Sequence, residues 1–393
     1  MSKTNDVAIL DIGSKKVIVL IGEKTAKGIF NIKGVGSCGY SGFVGGEWFN
    51  VSDLKTAVAK SVNMAEADAG TKIKKLYIGV PSEFSALVCK EVILSRARAS
   101  RIGDDDISAL YEQGDTYANH AKYSTINYSA IYYTLDDSTR RYVEPRGLSA
   151  YKLTGLLSYI LCERSFTALF EEIAHELKFK EIEYISAIWA ETMSLFDETT
   201  RNKPTLLADI GYITSSIAVV RGDGLLHLAS FSLGGGHIES DIAMMFEVPF
   251  KIAQEVKSKI DISLNYAEDA FYEAGEGGKY HLCANDINEV TKARLDTIVG
   301  FIQEGILQSG VDCPPYTTVY LTGGGVTQVR GAKEYMAAKL GKQIEIVFPS
   351  VPMFNKPQFS SSIGLLDIAS KLNANGQSAF TNILKKLISK LGG

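Results

Sequence analysis

Two short runs in this chain place an acid two residues ahead of a glycine at the end of an apolar stretch. The first is Asp11-Ile12-Gly13-Ser14, followed by Lys15 and Lys16; the second is Asp209-Ile210-Gly211. Such a turn aims backbone N–H groups at phosphate oxygens while its carboxylate holds a hydrated magnesium ion. Facing each other across a cleft, Asp11 and Asp209 would hold Mg through water and clamp a triphosphate from two sides. Gly13 and Ser14 would cradle the terminal phosphates, Lys15 or Lys16 would neutralise them, and Gly211 would supply the matching turn. A third run, Thr322-Gly323-Gly324-Gly325, follows the apolar residues 318–321. Gly323, Gly324 and Gly325 would bring backbone close to a ribose, an adenine face or an α-phosphate at the start of a helix. One Asp-x-Gly alone is usually only a turn; the order of all three discriminates.

The surrounding pattern supplies elements to hold these turns. Residues 7–10 and 17–21 read as strand, turn and strand, and the same pattern returns at 206–208 and 217–220. Each copy is followed by another strand-like stretch (29–38 and 225–231) and then by helical material, so the chain reads as a duplication with two related lobes. Residues 82–162, rich in tyrosine and charge, read as an inserted subdomain with a helix from 104 to 123 and strands over 126–135. Residues 241–312 are mostly helical in period and read as a second insertion. Asp104-Asp105-Asp106 is read as a helix start, where negative charge offsets the dipole, rather than as a metal site.

Composition narrows the function classes. With 393 residues, 46% of them hydrophobic and 22% charged, the chain has material for two lobes and the balance of a globular protein. A net charge of -4 gives no electrostatic footprint for nucleic acid. The five cysteines are scattered and read as reduced; the five histidines are dispersed and suggest no metal site. Trp48, Trp189 and the 19 tyrosines are assigned to packing. The first residues lack a secretory pattern, and no run of about 18 apolar residues spans a bilayer.

Residues 370–378 form a small polar linker ahead of a segment with a different logic. Phe380, Ile383, Leu384, Leu387, Ile388 and Leu391 make one helical stripe, with Lys385, Lys386 and Lys390 on the other side. A helix of this length reaches roughly 18 Å, too short for a hydrocarbon core of about 30 Å. It can lie on an anionic leaflet, reversibly and more strongly when the chain self-associates.

Together these residues resemble the actin, Hsp70 and sugar-kinase superfamily, and within it the FtsA family of bacterial cell division. Asp11 to Ser14 with Lys16-Val17 is similar to the family's first phosphate loop, Asp209-Ile210-Gly211 to its second, and Leu321 to Gly325 to its adenosine motif. Leu233-Gly234-Gly235-Gly236-His237-Ile238 with Asp241 is more particular to FtsA. Glu144 to Leu148 is similar to the step closing the FtsA insertion, Ser186-Ala187 leading to Glu191 to the helix connecting the lobes, and Ser361 to Leu366 to the last helix.

The resemblance implies an α/β, actin-like (ribonuclease H-like) duplicated two-lobe fold with an FtsA-type inserted subdomain and a C-terminal amphipathic helix. The first lobe would comprise 1–82, 163–202 and a closing helix at 355–369; the insertion 83–162; the second lobe 203–240 and 313–354, with its own subdomain at 241–312. The linker would be 370–379 and the membrane-targeting helix 380–393. The resemblance also implies ATP and Mg as cofactors, with Gly235, Gly236, Gln254 and Lys257 joining the turns around the nucleotide. Glu191 and Asp209 are the candidates to orient a water. Partners would be FtsZ through the 241–312 region, further copies in a filament, and anionic lipid on the cytoplasmic side of the bacterial membrane at the division site. Tyr212, Ile213 and Ser216 stand where the family's second loop has two glycines and an acid. Gly236 stands for an acid and Gln254 for a glutamate, which implies binding without fast hydrolysis. A sugar-kinase-like phosphotransferase and a cytoplasmic platform for pilus or secretion assembly are the alternative readings.

Overall fold

The computed structural model describes residues 6–25, 28–117, 119–314 and 316–374. The expected amphipathic segment at 380–391 lies outside the described residues.

The chain builds one five-stranded sheet twice. In the first lobe the strands run in the order Glu181–Ser186, Lys75–Val80, Val7–Ile12, Lys16–Lys24, Phe30–Gly39. In the second the order is Ile344–Ile346, Val319–Thr322, Thr205–Ile210, Ser215–Arg221, Gly224–Phe231. Each central strand pairs antiparallel with the strand after it and parallel with the one that returns from a helix. Val7–Ile12 and Thr205–Ile210 are apolar without alternation because helices cover both faces of their sheets. Leu207, Ala218 and Val220 of the second sheet join the first lobe's core, so the lobes share packed ground below the cleft. The closing helix, Ser360–Ala374, packs against Val7–Ile12 and the helix Ala187–Leu195.

Between the lobes, Ser85–Arg101, Ser149–Glu163 and Tyr123–Leu135 form an antiparallel sheet with Ser149–Glu163 in the centre. Its helix starts as expected, with the Asp106 carboxylate accepting the Gly103 N–H at 2.8 Å. It ends earlier than the periodicity suggests, at Gly114 rather than Tyr123. A Cβ at Gly114 would lie 1.9 Å from the Tyr159 hydroxyl, so the turn is pressed against the sheet, and residues 123–125 are drawn into the strand.

The second insertion holds the helices Gly236–Met245, Phe250–Lys257 and Ala284–Gln308, plus a hairpin of Phe271–Ala274 and Tyr280–Cys283 that helical periodicity missed. Arg294 clamps the long helix to the first of these by donating to both oxygens of Asp241 at 2.7 Å. No helix among the described residues is long and apolar enough to cross a membrane.

Candidate nucleotide cleft

Each Asp-x-Gly turn closes the hairpin between a central strand and its antiparallel neighbour. Gly13 N–H donates to Lys16 O at 3.0 Å, and Gly211 N–H donates to Thr214 O at the same 3.0 Å. The two turns meet across the gap between the lobes. Ile213 N–H donates to Ser14 Oγ at 3.0 Å, and Lys15 Nζ sits 3.8 Å from the centre of the Tyr212 ring. Around this contact lies a cleft of about 550 Å³. Asp11, Gly13, Ser14, Lys15 and Lys16 line it from the first lobe, with Glu191 at its back. Asp209, Gly211, Gln254, Lys257, Gly323, Gly324 and Gly325 line it from the second.

Gly235 and Gly236 are placed differently: they lie behind the lining rather than in it. A Cβ on Gly235 would come within 1.9 Å of Gly325 O, and one on Gly236 within 2.8 Å of the Tyr212 ring and carbonyl. Their glycines permit the second lobe's loops to stack. The run Gly323 to Gly325 also departs from expectation, since the following helix begins only at Ala332. Gly325 N–H instead donates to Ile210 O at 2.8 Å, tying the glycine run under the second turn.

One end of the cleft concentrates negative charge. Ser361 Oγ donates to Asp11 at 2.7 Å, and Ser362 donates to its other oxygen. Asp209, Glu83 and Glu191 complete a set of four carboxyl groups, each with its pKa raised chiefly by burial. Asp209 is pushed up to about 7, first by burial and then by the charges of Asp11 and Glu83. Glu191 is pushed well up by burial, then by Asp209 and Asp11, and its Oε2 has no hydrogen-bond partner. Like-charged carboxyls that raise one another's pKa, one of them orphaned, fit a divalent cation nearby. Among the described residues no cluster of three or more His, Cys, Asp or Glu side chains is placed to chelate an ion directly. Asp11 and Asp209 would hold such an ion through its water shell. Bound there, Mg²⁺ would neutralise phosphate charge.

At the other end, Lys257 Nζ donates to Gly235 O at 2.6 Å and to Glu239 at 3.1 Å. Tyr212 donates its hydroxyl to the same Glu239, and Gln254 Nε2 reaches the Tyr212 hydroxyl at 3.4 Å. Burial lowers the Lys257 pKa while Glu239 supports its charge.

Sequence reasoning missed Glu83, which accepts a hydrogen bond from the Thr214 side chain across the lobes, and Glu239, which pairs with Lys257. It also missed Tyr40, whose hydroxyl donates to Gly13 O at 2.8 Å. None of these lies within a glycine turn. Glu239, three residues past Gly236, had the nearest signal.

Two mixed sheets of one topology, with paired turns facing a shared cleft, define an actin-like fold. Solved structures agree on the fold. PilM of the PilM–PilN type IV pilus biogenesis complex superposes with a TM-score of 0.63 at 14% identity, over 93% of this chain and 98% of that one. MreB5 of Spiroplasma citri bound to ADP gives 0.56 at 11% identity, over 95% and 99%. Within that class the chain is similar in sequence to the cell division protein FtsA. The family described as Cell division protein FtsA matches residues 206–364. FtsA of Pseudomonas aeruginosa is 23% identical over 94% of this chain and 90% of its own length. FtsA of Escherichia coli K12 is 23% identical over 98% and 94%.

Proposed function

We propose that this chain is a nucleotide-binding, actin-like cell-division protein that anchors the FtsZ ring to the cytoplasmic face of the bacterial membrane. The observation that carries the reading is the meeting of the Gly13 and Gly211 turns over the carboxyl cluster, on a chain related to FtsA along nearly its whole length. Asp11 and Asp209 would hold Mg²⁺ through water, and Ser14, Lys15 and Lys16 would take the phosphates. The loops containing Gly211 and Gly323 to Gly325 would take the rest of ATP, with Gln254 and Lys257 at their edge. Raised pKa values keep Glu191 and Asp209 poor acceptors without a cation, which suits slow hydrolysis and a structural role for the nucleotide. Closing the cleft on nucleotide would select one polymerising conformation. The 241–312 region would meet FtsZ, and Phe380, Ile383, Leu384, Leu387, Ile388 and Leu391 would enter the lipid interface beside Lys385, Lys386 and Lys390.

Sedimentation with anionic liposomes and ATP, comparing the full chain with one ending at Ser378, tests this. The full chain alone should pellet, coat vesicles with filaments and bring FtsZ with it. If both chains remain in the supernatant, membrane anchoring is wrong and a platform that docks partner peptides takes its place.

A further inference from the structure

Four arginines of the described residues are ion-paired: Arg96 with Asp106, Arg146 with Asp104 and Glu144, Arg201 with Asp223, Arg294 with Asp241. Arg141 and Arg221 differ. Neither makes an ion pair among the described residues, and both approach one ring, with guanidinium carbons 4.6 and 5.4 Å from the centre of Tyr132. They line a cavity of about 220 Å³ where the inserted sheet meets the second lobe.

The backbone fixes both side chains' starting points. Tyr133 and Tyr142 exchange N–H to C=O bonds at 2.7 and 2.8 Å, which holds the segment carrying Arg141 beside the strand carrying Tyr132. Arg221 ends the strand Ser215–Arg221, and the turn after it is pressed into the insertion. Gly222 N–H donates to Arg201 O at 2.8 Å and Asp223 N–H to Ala130 O at 3.1 Å. Gly222 has φ +57, and a Cβ there would lie 2.3 Å from Ile131 O. Arg201 is part of the wall, its guanidinium already donating to Phe196 O, Gly222 O and the Asp223 carboxylate. That also pairs Asp223, the acid that follows Gly222 in the turn. Burial, and after it the neighbouring charge of Arg141, pushes the Arg221 pKa down.

Two unpaired guanidiniums held near each other repel, and an anion between them removes the repulsion. Arginine is weakly hydrated and matches the oxygens of phosphate or carboxylate with paired donors. We propose that this seam is an oxyanion site, separate from the nucleotide cleft, in which Arg141 and Arg221 take a phosphoryl or carboxylate group beside the Tyr132 ring. It would make the junction between the insertion and the second lobe responsive to a charged ligand.

The test titrates the full chain with inorganic phosphate, followed by ³¹P line broadening, with and without ADP and with acetate as competitor. Phosphate should bind in the presence of ADP, and Arg141→Gln or Arg221→Gln should each weaken it by about tenfold. Arg141 is exposed, so its replacement should leave the circular dichroism and melting temperature unchanged. Displacement by acetate would assign the site to a carboxylate ligand; resistance to acetate would assign it to a phosphoryl group. Equal affinity in wild type and both variants overturns the proposal. So does broadening that ADP abolishes, which places the phosphate in the cleft, or an effect that chloride reproduces at equal ionic strength.

Discussion

The turns at Gly13 and Gly211 share a hydrogen bond and a place in their sheets, but little else. Above the first stand Ser14, Lys15 and Lys16, and a Cβ on Gly13 would meet only Lys16 O, at 3.2 Å. A Cβ on Gly211 would lie 2.6 Å from Thr214 O, and behind it Gly234, Gly235 and Gly325 stack backbone on backbone. The first turn thus presents exposed charge on an open loop, the second a packed wall bearing the Tyr212 ring. Duplication preserved the backbone geometry and let the two faces of the cleft specialise.

The strongest way to break that contrast is to add one methyl group to each side. Gly235→Ala should cost about 4 kcal/mol or more through backbone overlap, whereas Gly13→Ala should cost about 1 kcal/mol or less. Thermal unfolding of the two variants checks this, and equal losses would erase the distinction between wall and loop.

The pH dependence sharpens it next, because the carboxyl cluster spans both turns. The folded protein holds a proton on Asp209 up to about pH 7, while the unfolded chain releases it near pH 4. Between these values the folded state binds more protons, so stability falls as pH rises: the benefit is full below about 4 and gone above about 7. At about 1.4 kcal/mol per pKa unit the change has a ceiling of about 4 kcal/mol. Nucleotide-free protein should melt higher at about pH 5.5 than at about pH 8, Mg²⁺ should narrow the gap, and Asp209→Asn should flatten the profile. A profile that Asp209→Asn leaves unchanged would place the titration elsewhere.

A smaller effect concerns the ring. Tyr212→Gly removes the aromatic face from Lys15 and the hydroxyl from Glu239, which should free Lys15 and raise affinity for a fluorescent ATP analogue about tenfold. Lys15→Ala should move affinity the other way by a similar factor. If Tyr212→Gly weakens binding, the ring supports the nucleotide instead of competing for its lysine. Smallest of all, Ser14→Ala loses the bond from Ile213 N–H and should cost about 1 kcal/mol, read in the melting temperature without nucleotide.

The duplicated sheets and the three glycine turns were legible because turn chemistry is local: Asp11, Gly13, Asp209 and Gly211 carry their meaning within four residues. Long-range partners were not. Glu83 gains its place from a bond to Thr214 in the other lobe, and nothing near Glu83 in the chain announces it. The helix Asp104–Gly114 was visible at its start, where Asp106 caps Gly103, and misjudged at its end, where contact with Tyr159 decides. Gly235 and Gly236, which the resemblance implies as part of the nucleotide site, stand behind the cleft's lining, where packing of Gly325 and Tyr212 leaves no room for a Cβ.

The grip of Ser361 and Ser362 on Asp11 joins residues 350 and 351 positions apart in the chain. Ile363, Leu365, Leu366 and Ile368 from the same helix fill the core beneath the sheet that begins at Val7. A growing chain therefore cannot finish its first lobe in order of synthesis; the opening strands must wait for the helix Ser360–Ala374 to be made. Competence for nucleotide would then arise only after the ribosome has passed residue 362, so that a chain stopped short of that helix would leave Asp11 without its two serine partners.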